Sequence, residues 1–129
     1  MGLVDHSTND VTKRTIGAAI EVHRHLGPGL LESSYQVCLC RELEIRGITY
    51  QGRVSMPLRY KGVECTQGYV ADLLVEDSLL VEIKSVESLH PIHTAQLLTY
   101  MRLLGRPGAG LLINFNVQIL TKGIRRLLL

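Results

Sequence analysis

The chain has 129 residues, 46% of them hydrophobic, with 14 basic and 12 acidic side chains and a formal net charge of +2. That length suits a single domain spanning 1–129 that buries roughly two-thirds of its unfolded surface, so the core needs no staples, and the composition excludes a disordered or collagenous chain. A charge this close to balance points to no class of partner, and any nucleic-acid surface must be a local patch. The longest uncharged run, Pro107 to Thr121, has 15 residues and includes Asn114 and Asn116. It is too short and too polar to span a bilayer. The N-terminus opens on polar residues, Asp5 to Asp10, with no apolar signal-peptide region. Three cysteines, an odd count without paired spacing, suit a reducing compartment. The expectation is a soluble, cytoplasmic protein with no membrane contact.

Thr8 to Leu26 reads as a first helix, with Thr8, Asn9 and Asp10 as N-cap candidates and Val11, Ile16, Ala19, Ile20 and His23 near one face. Gly27-Pro28-Gly29 stops it. A second helix follows from Leu30 to about Arg46, with Leu31, Tyr35, Leu39 and Leu43 as its apolar stripe and Gly47 as its stop. From Ile48 the period changes towards two. Ile48 to Val54 and Met56 to Tyr60 read as strands, Lys61-Gly62 as a turn, and Val63 to Tyr69 as a continuation of the sheet. Val70 to Val75 and Leu79 to Lys84 form a hairpin around Glu76-Asp77-Ser78. Pro91 to Leu104 is a third helix, with Pro91 in its first turn. Leu111 to Phe115 is a buried strand, and the tail holds a short turn or helix and a last strand near Ile124 to Leu128. This order predicts an α/β or α+β domain with a mixed sheet flanked by helices.

The hairpin carries the chemistry. A loop at 76–78 pairs Val75 with Leu79, Leu74 with Leu80, Leu73 with Val81 and Asp72 with Glu82. Alternation puts Ala71, Leu73, Val75, Leu79, Val81 and Ile83 on one apolar face, and Asp72, Leu74, Leu80, Glu82 and Lys84 on the other. Two carboxylates then stand opposite each other. At about 5 Å and an effective dielectric of about 20 they would repel by roughly 3 kcal/mol. A divalent cation is the simplest reason for such a pair, since Mg²⁺ takes one or two carboxylates and fills its other positions with water and substrate phosphate. Lys84, on the same face, could orient or deprotonate an attacking water. The plain alternative is a solvated face on which Asp72 pairs with Lys84. The apolar residues on both sides, Leu73, Leu74, Leu80, Val81 and Ile83, argue against it.

Asp72, nine intervening residues and Glu82-Ile83-Lys84 resemble the motif of the PD-(D/E)xK nuclease superfamily. Gln96-Leu97-Leu98-Thr99-Tyr100 resembles the Q-x-x-x-Y helix motif of its RecB-type members. Gly29-Leu30-Leu31-Glu32-Ser33-Ser34-Tyr35 is similar to the signature of the GxxExxY proteins assigned to it. Ala71 departs from the pattern, standing where the superfamily name has Pro. The resemblance implies a restriction-endonuclease-like α/β core, αβββαβ, and Mg²⁺ or Mn²⁺. It implies Asp72 and Glu82 as metal ligands, with the Ile83 carbonyl as a third and Glu32 completing the shell or reaching it through water. It gives Lys84 a role on water or the transition state, and Gln96 one in orienting the lysine, water or phosphate. Tyr100, one helical turn after Gln96, would support it or contact substrate.

Taken alone, Glu32 is a first-turn carboxylate at the positive end of a helix dipole, and Tyr35 is a core residue whose hydroxyl has a partner. His93, one turn before Gln96, is the one histidine placed to line the site. The spacings of His23, His25, His90, Cys38 and Cys40 do not make a zinc site or a Cys–His pair. Arg53, Arg59, Lys61, Arg102, Arg106, Lys122, Arg125 and Arg126 are scattered cations without a basic stripe. The reading is a metal-dependent nuclease or nuclease-like phosphodiesterase acting on nucleic acid, DNA ahead of RNA. The alternatives are a catalytically inactive module that binds nucleic acid or a protein partner, and a structural protein whose carboxylates are relics. A homodimer is compatible with so small a domain.

Overall fold

A computed structural model describes residues 6–65 and 68–129. Helix α1 (His6–Leu26) leads into α2 (Glu32–Ile45). Strands β1 (Tyr50–Met56), β2 (Arg59–Tyr60), β3 (Val63–Glu64), β4 (Tyr69–Val75) and β5 (Leu79–Lys84) follow. Then come α3 (Pro91–Leu104), β6 (Ala109–Asn114), a short 3-10 helix (Leu120–Gly123) and β7 (Ile124–Leu128). The main sheet has the order β1-β4-β5-β6-β7, and β2 and β3 form a separate two-stranded ribbon. Among the described residues only β5 and β6 run parallel, with α3 as the crossover between them. The sheet is mixed and flanked by helices on both faces, as the element order predicted.

Two apolar clusters fill the layers. One joins Val11, Ala18, Ala19 and Val22 of α1 and Tyr35, Leu39 and Leu43 of α2 to Leu73, Val75, Leu79, Val81 and Ile83. The other joins Leu97, Tyr100 and Met101 of α3 to Val54, Met56, Leu74, Leu80 and Leu112. α3 lies close against β6 because Gly110 has no side chain, and a Cβ there would meet Met101 Sδ at 2.7 Å.

Several boundaries and faces differ from the sequence reading. α1 begins at His6, so Thr8, Asn9 and Asp10 lie inside it rather than at its cap. Ile20 is exposed, whereas Thr12 and Thr15 are buried. The Thr15 hydroxyl satisfies itself on the Val11 carbonyl at 2.7 Å, so a threonine fills a core position without an unmet polar group. α2 starts at Glu32, two residues later than read, and Leu31 before it is 73% exposed. Gly27 and Gly47 take the left-handed conformation expected of helix stops, at φ 71° and 69°. The strand read from Met56 to Tyr60 breaks at Pro57 and Leu58, and its second half joins the separate ribbon. Part of the continuation read from Val63 to Tyr69 falls on residues 66–67, outside the described residues.

The consequential difference is in β4. The β4–β5 pairing holds at Leu73–Val81, Leu74–Leu80 and Val75–Leu79, and does not extend to Asp72–Glu82. The β1–β4 pairing also skips a step: Gly52 pairs with Leu73 and Val54 with Ala71, leaving Arg53 and Asp72 out. Arg53 has φ 57°, in the left-handed region that side chains disfavour. Both strands exchange faces at this step. Leu73 packs towards α1 and α2, but Ala71 packs towards α3, not on the face that alternation assigned to it.

Candidate active site

Asp72 therefore sits where β4 has left the regular ladder, and its backbone groups find other partners. Its N–H donates to Glu82 Oε1 at 3.0 Å. Its carbonyl accepts from Gln36 Nε2, on α2, at 2.8 Å. In return, Asp72 Oδ2 accepts the Ile83 N–H at 2.7 Å. The two acids thus do not face each other as a ladder pair. Each reaches across to the backbone of the other strand, and the donated N–H groups offset part of their repulsion.

Glu82 is buried and Asp72 half-buried. Burial, and next the Asp72 charge, push the Glu82 carboxyl up to about 7. Burial is also the main cause raising Asp72, with Glu32 adding a smaller push and the Ile83 N–H opposing it. The Asp72 charge acts on Glu82, so the two carboxyls titrate as a pair. Lys84 Nζ lies 3.7 Å from Glu82 Oε2 and donates to Gln96 Oε1 at 3.2 Å. α3 presents Gln96 and, one turn later, Tyr100 to this face of the sheet. Burial raises the Tyr100 hydroxyl, and the fields of Glu82, Tyr69 and Asp72 add to it.

Glu32 comes from the opposite helix layer, at the first turn of α2. Its Oε2 accepts the Ser85 N–H at 3.2 Å, while Ser85 Oγ donates to the Leu30 carbonyl at 2.6 Å. Among the described residues no three His, Cys, Asp or Glu side chains converge closely enough to hold a metal ion. The acidic set is a pair, with Glu32 held at its border by the segment after Lys84. His93 is engaged elsewhere: its Nδ1 accepts the His90 N–H at 3.0 Å and caps α3. Tyr35 is fully buried, stacked on Phe115 with ring centroids 4.4 Å apart. Its hydroxyl donates to the Gly27 carbonyl at 2.6 Å and accepts the Leu30 N–H at 3.2 Å. The G-x-x-E-x-x-Y segment is thus a brace: its tyrosine fixes the loop that sets Glu32 over Ser85.

Two polar residues of the site carry no motif in the sequence. Gln36 holds the Asp72 carbonyl, and its position four residues after Glu32, on the same helical face, is the one signal of it. Asn114 ends β6 and is buried. Its Oδ1 accepts the Val86 N–H and its Nδ2 donates to the Val86 carbonyl, both at 3.0 Å. That fixes the segment between Lys84 and α3, and its signal is a lone polar residue closing an apolar strand.

The donor chemistry fits a divalent cation. Two partly desolvated carboxyls held above their ordinary range bind a proton that a cation could replace, and hard oxygen donors suit Mg²⁺ or Mn²⁺. Beside them, the amide Oε1 of Gln36 is buried with no hydrogen-bond partner.

The family model of the PD-(D/E)XK nuclease superfamily matches residues 9–127. The chain belongs to that superfamily. The sheet and helices form its restriction-endonuclease-like fold, and PD-(D/E)XK nucleases generally use divalent metal ions. Searches of curated proteins and of solved structures found no match. Asp72 of β4 and Glu82, Ile83 and Lys84 of β5, read in the sequence as similar to the superfamily motif, lie within the matched residues. Among the described residues no helix is long and apolar enough to cross a membrane.

Proposed function

We propose that this PD-(D/E)XK domain is a metal-dependent nuclease hydrolysing phosphodiester bonds, with DNA ahead of RNA as substrate. The observation that carries the reading is the partly buried Asp72–Glu82 pair with Lys84 beside it, bonded to Gln96. Asp72 and Glu82 would hold Mg²⁺ or Mn²⁺, with the Ile83 carbonyl as a further oxygen donor and Glu32 acting through water. When bound, the cation supplies Lewis-acid stabilisation of charge on the scissile phosphate. The chain's own residues do the rest. Lys84, oriented by Gln96, would position or deprotonate the water, whose oxygen attacks phosphorus in line as the P–O bond to the leaving oxygen breaks, or would offset the charge that develops on the phosphate. Tyr100 supports Gln96 from one turn along α3. The match to the G-x-x-E-x-x-Y signature supports placement among the GxxExxY proteins. Cys38, Cys40 and Cys65, all unbridged, support a reducing, cytoplasmic setting.

The test is cleavage of single- and double-stranded DNA and RNA with Mg²⁺ or Mn²⁺, against Asp72→Ala. The expected outcome is turnover in the wild type and a loss of at least a hundredfold in the variant, on the order of an essential charge-stabilising group. No activity above Asp72→Ala on any substrate overturns the reading. A second reading, a module that binds nucleic acid or a protein partner without turnover, draws on Glu32 standing apart from the acid pair. Calorimetry separates the two, since binding without turnover supports only the second.

A further inference from the structure

The acid pair lies at one end of the main sheet. Lys84 ends β5 there, Met56 ends β1 there, and Tyr69 starts β4 opposite Met56. The β2–β3 ribbon, inserted between Met56 and Tyr69, leaves from the same end. The Tyr69 ring leans on Tyr100, with centroids 6.2 Å apart, and Tyr100 lies one helical turn from Gln96, which accepts from Lys84. Tyr69 is nevertheless 43% exposed. It precedes Asp72 by three residues, about 10 Å along a strand. A half-exposed aromatic ring beside a phosphodiester-cleaving site has one evident use, because every nucleic-acid base has a π-face to set on it.

Charge in the segment that leads to the ring agrees. From Tyr50 to Tyr69 the chain carries three cations, Arg53, Arg59 and Lys61, against one carboxylate, Glu64. Arg59 is paired with Glu64 at 2.9 Å. Lys61 lies 5.2 Å over the ring of Tyr60, which is itself 67% exposed. Exposed aromatic rings interleaved with cations are the composition of a groove that follows a nucleic-acid backbone and stacks its bases. In a duplex the bases are paired and stacked on each other, so they offer no free face to a side chain at the strand's edge.

We infer that Tyr69 is a stacking platform for an unpaired base beside the scissile phosphate, which makes single-stranded nucleic acid the substrate class of the Asp72–Glu82 site. The inference rests on the nuclease reading above and adds to it a binding contact outside the motif residues. The aliphatic residues exposed nearby, Leu31 and Ile92, suit a protein contact equally well. The aromatic ring joined to the site through Tyr100 decides for a base.

The chain has no tryptophan, so Tyr69→Trp creates a single fluorescent reporter at the platform. Binding of labelled single-stranded DNA, single-stranded RNA and duplex DNA is measured by anisotropy in Ca²⁺ and in EDTA, for the wild type, Tyr69→Ala, Tyr69→Phe and Tyr69→Trp. The expected result is tighter binding of single strands than of duplex. Tyr69→Ala should lose roughly five- to a hundredfold in single-strand affinity, the range of one base–aromatic stack. Tyr69→Phe should stay close to the wild type, and the new tryptophan should be quenched by single strands and not by duplex. Wild-type affinity in Tyr69→Ala, or equal quenching by duplex, overturns the inference. Quenching by no oligonucleotide also overturns it and leaves the patch to a protein partner. Should Tyr69→Ala fail to fold, Tyr69→Trp quenching alone decides. Tyr69-dependent single-strand binding without Mg²⁺- or Mn²⁺-dependent cleavage defeats the nuclease reading and keeps the platform. Cleavage that is indifferent to Tyr69 does the reverse.

Discussion

Glu82 shows what burial does to a carboxyl that the proposed chemistry needs in its charged form. Folded, it keeps its proton up to about 7, against 4.5 when unperturbed. Across that window the folded chain binds more protons than the unfolded one, so stability falls as pH rises. The contribution is full below the unfolded value and lost once pH passes the folded value. Glu82→Gln should therefore flatten the pH dependence between those limits in EDTA. It should also raise stability at pH 8 by about 1–3 kcal/mol, since a tenfold change in proton affinity is worth about 1.4 kcal/mol and Glu82 titrates as a pair with Asp72. Urea denaturation at several pH values measures this. An unchanged slope would mean that Glu82 is already ionised in the folded chain. Mg²⁺ should act in the opposite sense on the wild type, stabilising it most where the pair has lost its proton.

At the scale of elements, the paired irregularity at Arg53 and Asp72 departs most from what periodicity could reveal. Alternation correctly gave the three upper pairs of the hairpin, because Leu73, Val75, Leu79 and Val81 have one face to bury. It failed at Ala71, where two strands step out of register with alternation together, and nothing in either strand's own pattern announces it. The signal lies in the φ of Arg53, a property of the fold. A non-glycine residue there carries strain of about 1–2 kcal/mol. Arg53→Gly should accordingly be neutral or stabilising by up to about 1 kcal/mol, once the entropy cost of glycine is included. Arg53→Val, which resists a positive φ, should destabilise by about 1–3 kcal/mol. Thermal melts of both variants check this, and a better-tolerated valine would indicate an ordinary strand at that position. The helices were easier to read. Pro91 to Leu104 is α3 to the residue, because Pro at its start and Gly105 at its end are local signals. Gln36 and Asn114 left only a faint signal, since each bonds to a backbone group far away in sequence.

Over the whole molecule, the site is assembled from both helix layers and from the three inner strands of the sheet, β4, β5 and β6. Asn114 links these parts: its side chain grips Val86, and its carbonyl lies under Gly123. A Cβ at Gly123 would stand 2.3 Å from that carbonyl oxygen, so something must move. Gly123→Ala should lose about 1–3 kcal/mol by overpacking. It should also lower turnover through the displaced segment between Lys84 and α3, with little change in substrate affinity. Comparing kcat and KM with the melting temperature tests this, and full activity in a destabilised variant would confine the effect to stability.

The exchange of faces in β4 has a consequence for how the chain can vary. Ala71 and Leu74 are fitted to α3 and Leu73 and Val75 to α1 and α2, so a single strand is answerable to two interiors. Asp72 stands at the changeover, like a rivet through two plates. Repacking on either side, even among residues that never approach a substrate, is transmitted to the same carboxyl. The two halves of the domain are therefore constrained to change in step.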